Sequence, residues 1–133
     1  MASTGLISTR PTKIGDVLKH EYMPCSGYCR VLATVAVPAD GLSVGAVLEN
    51  TTDTARWTLV DAANVGNAAA VLLDERVYDD LAAGDHELAI LVRGPSIVAD
   101  DSLTYAADVD TDAERVSAEE ALKSQGILTL DQV

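Results

Sequence analysis

A chain of 133 residues and 13.9 kDa, 48% hydrophobic and 23% charged, has the length and composition of one compact soluble domain. Nine Lys and Arg stand against 21 Asp and Glu, a net charge of −12. That length excludes a two-domain enzyme, and the longest apolar runs, such as Leu88 to Val92, fall far short of the ~20 residues of a membrane-spanning helix.

The charge is divided unevenly along the chain. Residues 1–30 hold four basic groups (Arg10, Lys13, Lys19, Arg30) and two acids (Asp16, Glu21), for +2. Residues 31–133 hold five basic groups and 19 acids, for −14. Sequence-independent binding to nucleic acid depends on neutralising phosphates with Lys and Arg, so neither nucleic acid nor a membrane is expected as partner. A short basic arm on an acidic body suggests a protein partner for the arm. A solvated acidic surface with an untethered terminus would explain the charge equally well. The first residues, Met-Ala-Ser-Thr-Gly, carry neither the basic start nor the apolar run of a signal peptide, so the chain is expected to stay where it is made.

Taken in order, residues 1–13 are rich in Ser, Thr, Gly and Pro without hydrophobic periodicity, the composition of a mobile terminus. Ile14 to Leu18 suits a turn of helix or an extended arm, and Pro24, Ser26 and Gly27 break what precedes the first strand. Val31, Ala33, Val35 and Val37 then alternate with Leu32, Thr34 and Ala36, predicting a strand from Arg30 closed by the turn Pro38-Ala39-Asp40-Gly41. Short strands are predicted at Ala46 to Glu49, Trp57 to Val60, Ala69 to Leu73, Leu88 to Val92, Ile97 to Val98 and Leu103 to Tyr105, as in a small barrel or sandwich. Ala69 to Leu73 and Leu88 to Val92 are apolar on both faces and suit central strands. Thr111-x-x-Glu114 and Ser117-x-x-Glu120 both have capping-box spacing. Ala118, Ala121 and Leu122 share one helical face, which favours a helix from about Ala118 to Gln125, with Gly126 at its C-terminal turn and a last strand at Ile127 to Leu130.

With no Phe and one Trp, the core is built of Val, Leu, Ile and Ala, each contributing ~1.5–3 kcal/mol when buried, which leaves a small domain little margin. Association with copies of itself or with a larger partner would add to it.

Candidate chemistry is sparse. Cys25, Cys29 and His20 lie close in sequence, but a structural zinc would need His86 from a distant segment, and the spacing fits no finger or ribbon. Two reduced cysteines are the simpler reading. The acid pairs Asp74-Glu75, Asp79-Asp80 and Asp100-Asp101 are sequence neighbours whose side chains diverge on a strand, and no D-x-D-x-D-G spacing occurs, so they read as solvated turns. There is no G-x-S-x-G and no phosphate-binding glycine loop. No cofactor, metal site or catalytic residue is expected. Trp57 is expected to pack one face of the sheet with Leu59 or to meet a partner, and Arg93 to cap a sheet edge or pair with a neighbouring subunit.

One ordered set of segments is recognisable. It runs Ile14-Gly15-Asp16-Val17-Leu18-Lys19-His20-Glu21, Gly41-Leu42-Ser43-Val44-Gly45-Ala46-Val47-Leu48, Ala69-Ala70-Val71-Leu72-Leu73, Leu91-Val92-Arg93-Gly94-Pro95, then Ala121-Leu122 and Gly126-Ile127. This order, across about residues 14–130, resembles the lambda-type head decoration family of tailed bacteriophages. Met23-Pro24-Cys25 and a longer acidic link from Asp74 to Glu87 depart from the usual pattern.

The resemblance implies a mainly β fold, a small barrel or β-tulip, with one short C-terminal helix and a flexible N-terminal arm. It implies a capsid-binding arm over residues 1–30 and a decoration domain over 31–133. It further implies a cement protein without enzymatic activity, sitting as homotrimers at local threefold positions on the outside of the expanded head. The partner is then the major capsid protein, and the location the virion, after synthesis in the host cytoplasm. The arm residues expected to meet the shell are Arg10, Lys13, Ile14, Val17, Leu18 and Lys19, with Trp57 and Arg93 at a subunit interface. A competing reading is a small β-barrel enzyme or ligand- or metal-binding module with an acidic site.

Overall fold

The computed structural model describes residues 12–23, 27–50, 56–79 and 81–130. In chain order the regular elements are α1 (Ile14–Val17), β1 (Leu18–Glu21), β2 (Arg30–Val37), β3 (Val47–Glu49), β4 (Thr58–Leu59), β5 (Ala70–Leu72), β6 (Gly84–Leu91), β7 (Ser96–Ala99), α2 (Asp112–Lys123) and β8 (Ile127–Leu130). Short 3-10 segments occupy Ala62–Asn67, which is kinked at Asn64, Glu75–Tyr78 and Asp100–Ser102. The fold is mainly β, as the alternation of the sequence predicts.

Five strands form an antiparallel sheet in the order β2-β6-β5-β3-β4. It curls until its ends meet at Trp57, whose amide donates to the Thr34 carbonyl at 2.8 Å while its own carbonyl accepts from the Ala36 amide at 2.9 Å. Inside the curl lie Val35, Val37, Ala46, Leu48, Ala70, Leu72, Leu88 and Ile90, all buried. A second, three-stranded sheet has the order β1-β7-β8, with β1 antiparallel and β8 parallel to β7. Between this sheet, α2 and the outer face of the curl lies a second core containing Val17, Val47, Val71, Leu73, Leu91, Val98, Leu122 and Ile127. The run Ala70 to Leu73 feeds alternate side chains into the two cores. Its continuous hydrophobicity follows from that double burial.

Several elements differ from the expectation. The body takes in part of the stretch assigned to the arm: β1 pairs with β7, Val17 is fully buried, and Glu21 is ion-paired to Arg30 at the start of β2. Four residues are too few to display periodicity, and the pairing partner of β1 lies some 75 positions away. Residues 1–11, with Arg10, lie outside the described residues.

β6 begins at Gly84 rather than Leu88, because β2 offers eight pairing residues and Gly84 to Glu87 fill its far half despite their polarity. Leu103 to Tyr105 forms only a single bridge, Ala46 to Thr104. Helix α2 starts at Asp112, using the first of the two capping boxes: Thr111 Oγ1 accepts from the Glu114 amide at 3.3 Å, and Glu114 Oε1 accepts from the Thr111 amide at 3.2 Å. The apolar stripe identifies the buried half, with Ala118 and Leu122 in the core, but cannot see a first turn that is solvated and held by its cap and first-turn acids.

Candidate functional site

The N-terminal segment enters the body through a dense set of hydrogen bonds. The Tyr78 hydroxyl donates to the Thr12 carbonyl at 2.7 Å and accepts from the Val44 amide at 3.0 Å. Glu75 Oε2 accepts from the Ile14 amide at 3.0 Å, a bond spanning 61 residues of sequence. Asp16 Oδ2 accepts from the Lys13 amide at 2.9 Å, and the Asp16 carbonyl accepts from Ser102 Oγ at 3.1 Å. Lys19 Nζ closes over the Gly15 carbonyl at 3.0 Å. Gly45 lies against this segment at φ 99°, and a Cβ there would come within 2.3 Å of the Ser102 carbonyl oxygen and 3.1 Å of a Val17 methyl. No side chain fits, which gives the second glycine of the Gly41 to Leu48 segment its physical reason.

Of the residues expected to meet a partner in this segment, Lys13 and Lys19 are exposed, Ile14 and Leu18 are half-buried against the second core, and Val17 is inside it. Val17 therefore presents no surface to a partner while the body is folded. Its role is to hold the segment down.

Trp57 and Arg93, distant in sequence, line one concavity of about 480 Å³ together with Asn50, Val92, Ala121 and Gln125. Trp57 packs with Leu59 against the inner core, as expected, and closes the curled sheet through its backbone. Arg93 is exposed; its guanidinium donates to the Tyr28 carbonyl at 2.8 Å and stacks 5.3 Å from the centroid of the Tyr28 ring. Tyr28 meets Tyr22 edge to face at 5.8 Å, and both are 47% exposed beside the exposed Met23. Tyr, Met and Arg are the residue types enriched in protein interfaces. Neither tyrosine carries an expectation from the sequence, although tyrosines flanking a turn are the available signal.

A larger hollow of about 970 Å³ opens between the Asp100–Ser102 turn and α2, lined by Asp100, Asp101, Asp110, Asp112 and Glu119 with Arg115 among them. The Tyr105 hydroxyl is buried at its wall without a hydrogen-bond partner. Burial, with the Glu119 carboxylate nearby, pushes its pKa to about 12, so it is no base at neutral pH. Among the described residues no three His, Cys, Asp or Glu converge as a metal site. Cys29 is buried and free, its thiol directed at the Tyr22 and Pro95 carbonyls; His20 and His86 lie on different sheets, and Cys25 is outside the described residues.

A family model described as bacteriophage lambda head decoration protein D matches residues 7–127, nearly the whole chain. The chain belongs to that family. Comparison with curated proteins gives no match. Membership in a head decoration family makes this a phage capsid protein, and its location the virion capsid. The segments that carry the resemblance are those the structure brings together. The opening Ile14 to Glu21 supplies α1 and β1, and the Gly41 to Leu48 segment supplies Gly45 beneath them. The Gly94-Pro95 and Gly126-Ile127 pairs meet where β7 and β8 begin. A Cβ on Gly94 would stand 1.8 Å from the Gly126 carbonyl oxygen, so the parallel pairing of β7 with β8 requires glycine there.

Proposed function

We propose that the protein is a cement for the expanded phage head: it binds the outer surface as a homotrimer at local threefold positions and braces capsomer junctions against the pressure of packaged DNA. The observation that carries this reading is membership in the decoration family, over a match that begins at residue 7, within the expected arm. The arm, with Arg10, Lys13 and Lys19, takes the major capsid protein as partner by β-augmentation, in which main-chain hydrogen bonds supply affinity. Trp57 and Arg93, with the tyrosines beside them, suit the contact between copies. An acidic body favours an external position, since DNA lies inside the shell and phosphate contacts would require the opposite charge. The action is mechanical, with no catalytic step. Because each bound copy favours the assembled state over its parts, many copies stabilise a head even when each contributes modestly.

The test is co-sedimentation with expanded, undecorated heads and with unexpanded procapsids of the phage that encodes the protein, using the full chain and a chain lacking residues 1–11. The expected result is saturable binding of the full chain to expanded heads only, and loss of binding on truncation. Full binding by the truncated chain would overturn the role of the arm. Binding to neither shell would overturn the cement reading.

A further inference from the structure

We propose that Tyr78 and Glu75 are positioning residues that fix the root from which the N-terminal arm reaches the shell; this rests on the arm-docking reading above. Both belong to the Glu75–Tyr78 turn, inside the acidic link that departs from the usual family pattern and that sequence alone presents as a solvated connection. The structure gives that link a task. Tyr78 is half-buried against the second core, and its hydroxyl is used at both ends, accepting from Val44 and donating to the carbonyl of Thr12, the first described residue of the chain. Glu75 is exposed yet accepts from the Ile14 amide. The turn itself is held by Asp74, whose carboxylate binds the Arg76 guanidinium and the Arg76 and Ala89 amides. A rigid turn thus grips the backbone at residues 12 and 14.

The physical consequence concerns entropy. Eleven residues precede Thr12 and can reach at most ~40 Å from it, so the range of the arm is set by where Thr12 is held. A fixed root raises the effective concentration of the arm at the docking strand, and residues 12–14 need no ordering when docking occurs. Releasing the root adds those residues to the tether and their ordering to the cost of binding. Neither side chain needs to touch the shell for this to act.

The test uses Tyr78→Phe and Glu75→Ala in the full chain, with Thr111→Ala, which loosens the distant cap of α2, as a control for general destabilisation. Two quantities are read: the rate of tryptic cleavage after Lys13 in the folded protein, and the affinity for expanded, undecorated heads. Cleavage after Lys13 is expected to quicken in both root variants and not in the control. Affinity is expected to fall about three- to tenfold, the worth of one or two hydrogen bonds, with the control unchanged. Should Tyr78→Phe fail to fold, Glu75→Ala at its exposed site carries the test. Root variants that bind like the unaltered chain, while the chain lacking residues 1–11 does not bind, would overturn the positioning role alone. Undiminished binding by that truncated chain would instead overturn the arm reading beneath it.

Discussion

Asp74 accepts hydrogen bonds from the Arg76 guanidinium and amide within the turn it opens and from the Ala89 amide of β6, and this changes its acidity. The Arg76 guanidinium, outweighing the effect of burial and aided by the Ala89 and Arg76 amides, lowers its pKa from 3.8 to about 2. A carboxylate whose pKa is depressed in the folded state adds stability above its unfolded pKa and loses it as pH falls through the folded value. The window here runs from about pH 4 down to about pH 2. Asp74→Asn is expected to cost about 1 kcal/mol at pH 6, because the Arg76 end of the pair is open to solvent, a gap to the unaltered protein that closes towards pH 2, read by denaturant unfolding across that range. A gap independent of pH would mean that the carboxylate's charge is not what holds the turn. Sequence alone set Asp74 among the solvated acids. It could not show Arg76 folding back two positions, nor the Ala89 amide arriving from β6.

At the scale of elements, the two capping boxes before α2 have the same spacing and opposite consequences. Thr111 holds the helix start, while Ser117 is an exposed residue within it. Thr111→Ala is expected to lower stability by about 1 kcal/mol, and Ser117→Ala to change it by no more than a few tenths, since Ala replaces a mid-helix Ser. Thermal unfolding of the pair, compared with the unaltered chain, separates the assignments. The longer helix sets Val116 beside Leu128 and Leu130 of β8, an exposed apolar strip at the outer edge of the three-stranded sheet. In the same way β6 gains its polar first half from β2, and α1 and β1 gain order from β7 and the Glu75–Tyr78 turn. In each case a neighbour supplies what local propensity does not.

For the molecule as a whole, two small cores without Phe are wrapped by a curled five-stranded and a three-stranded sheet, and apolar side chains remain at the surface around Tyr22, Tyr28 and β8. Assembly on the head would cover part of that surface. On the proposed threefold arrangement, Arg93→Ala is expected to lower the stability of the free chain by about 1 kcal/mol or less, since Arg93 is exposed, yet to reduce the occupancy of expanded heads. Cryo-electron microscopy of heads decorated at fixed protein concentration reads that occupancy. Unchanged occupancy would remove Arg93 from the contact between copies.

The amino-acid sequence by itself determined the fold class, the strands of the inner core, the buried face of α2 and the family. These are carried by period-two alternation, by helical spacing, and by glycines and motif order, all of which are local or ordered along one chain. Tertiary structure decided where the body begins, that Glu21, Glu49 and Asp74 are buried, which cap is used, and that Trp57 and Arg93 share a concavity. Each of these depends on a partner far away in sequence: Val98 beside Leu18, Tyr78 beneath Thr12, Ala89 above Asp74. Hydrogen bonds and burial are conferred by whichever groups the fold brings within a few ångströms, and one-dimensional spacing carries no record of that approach.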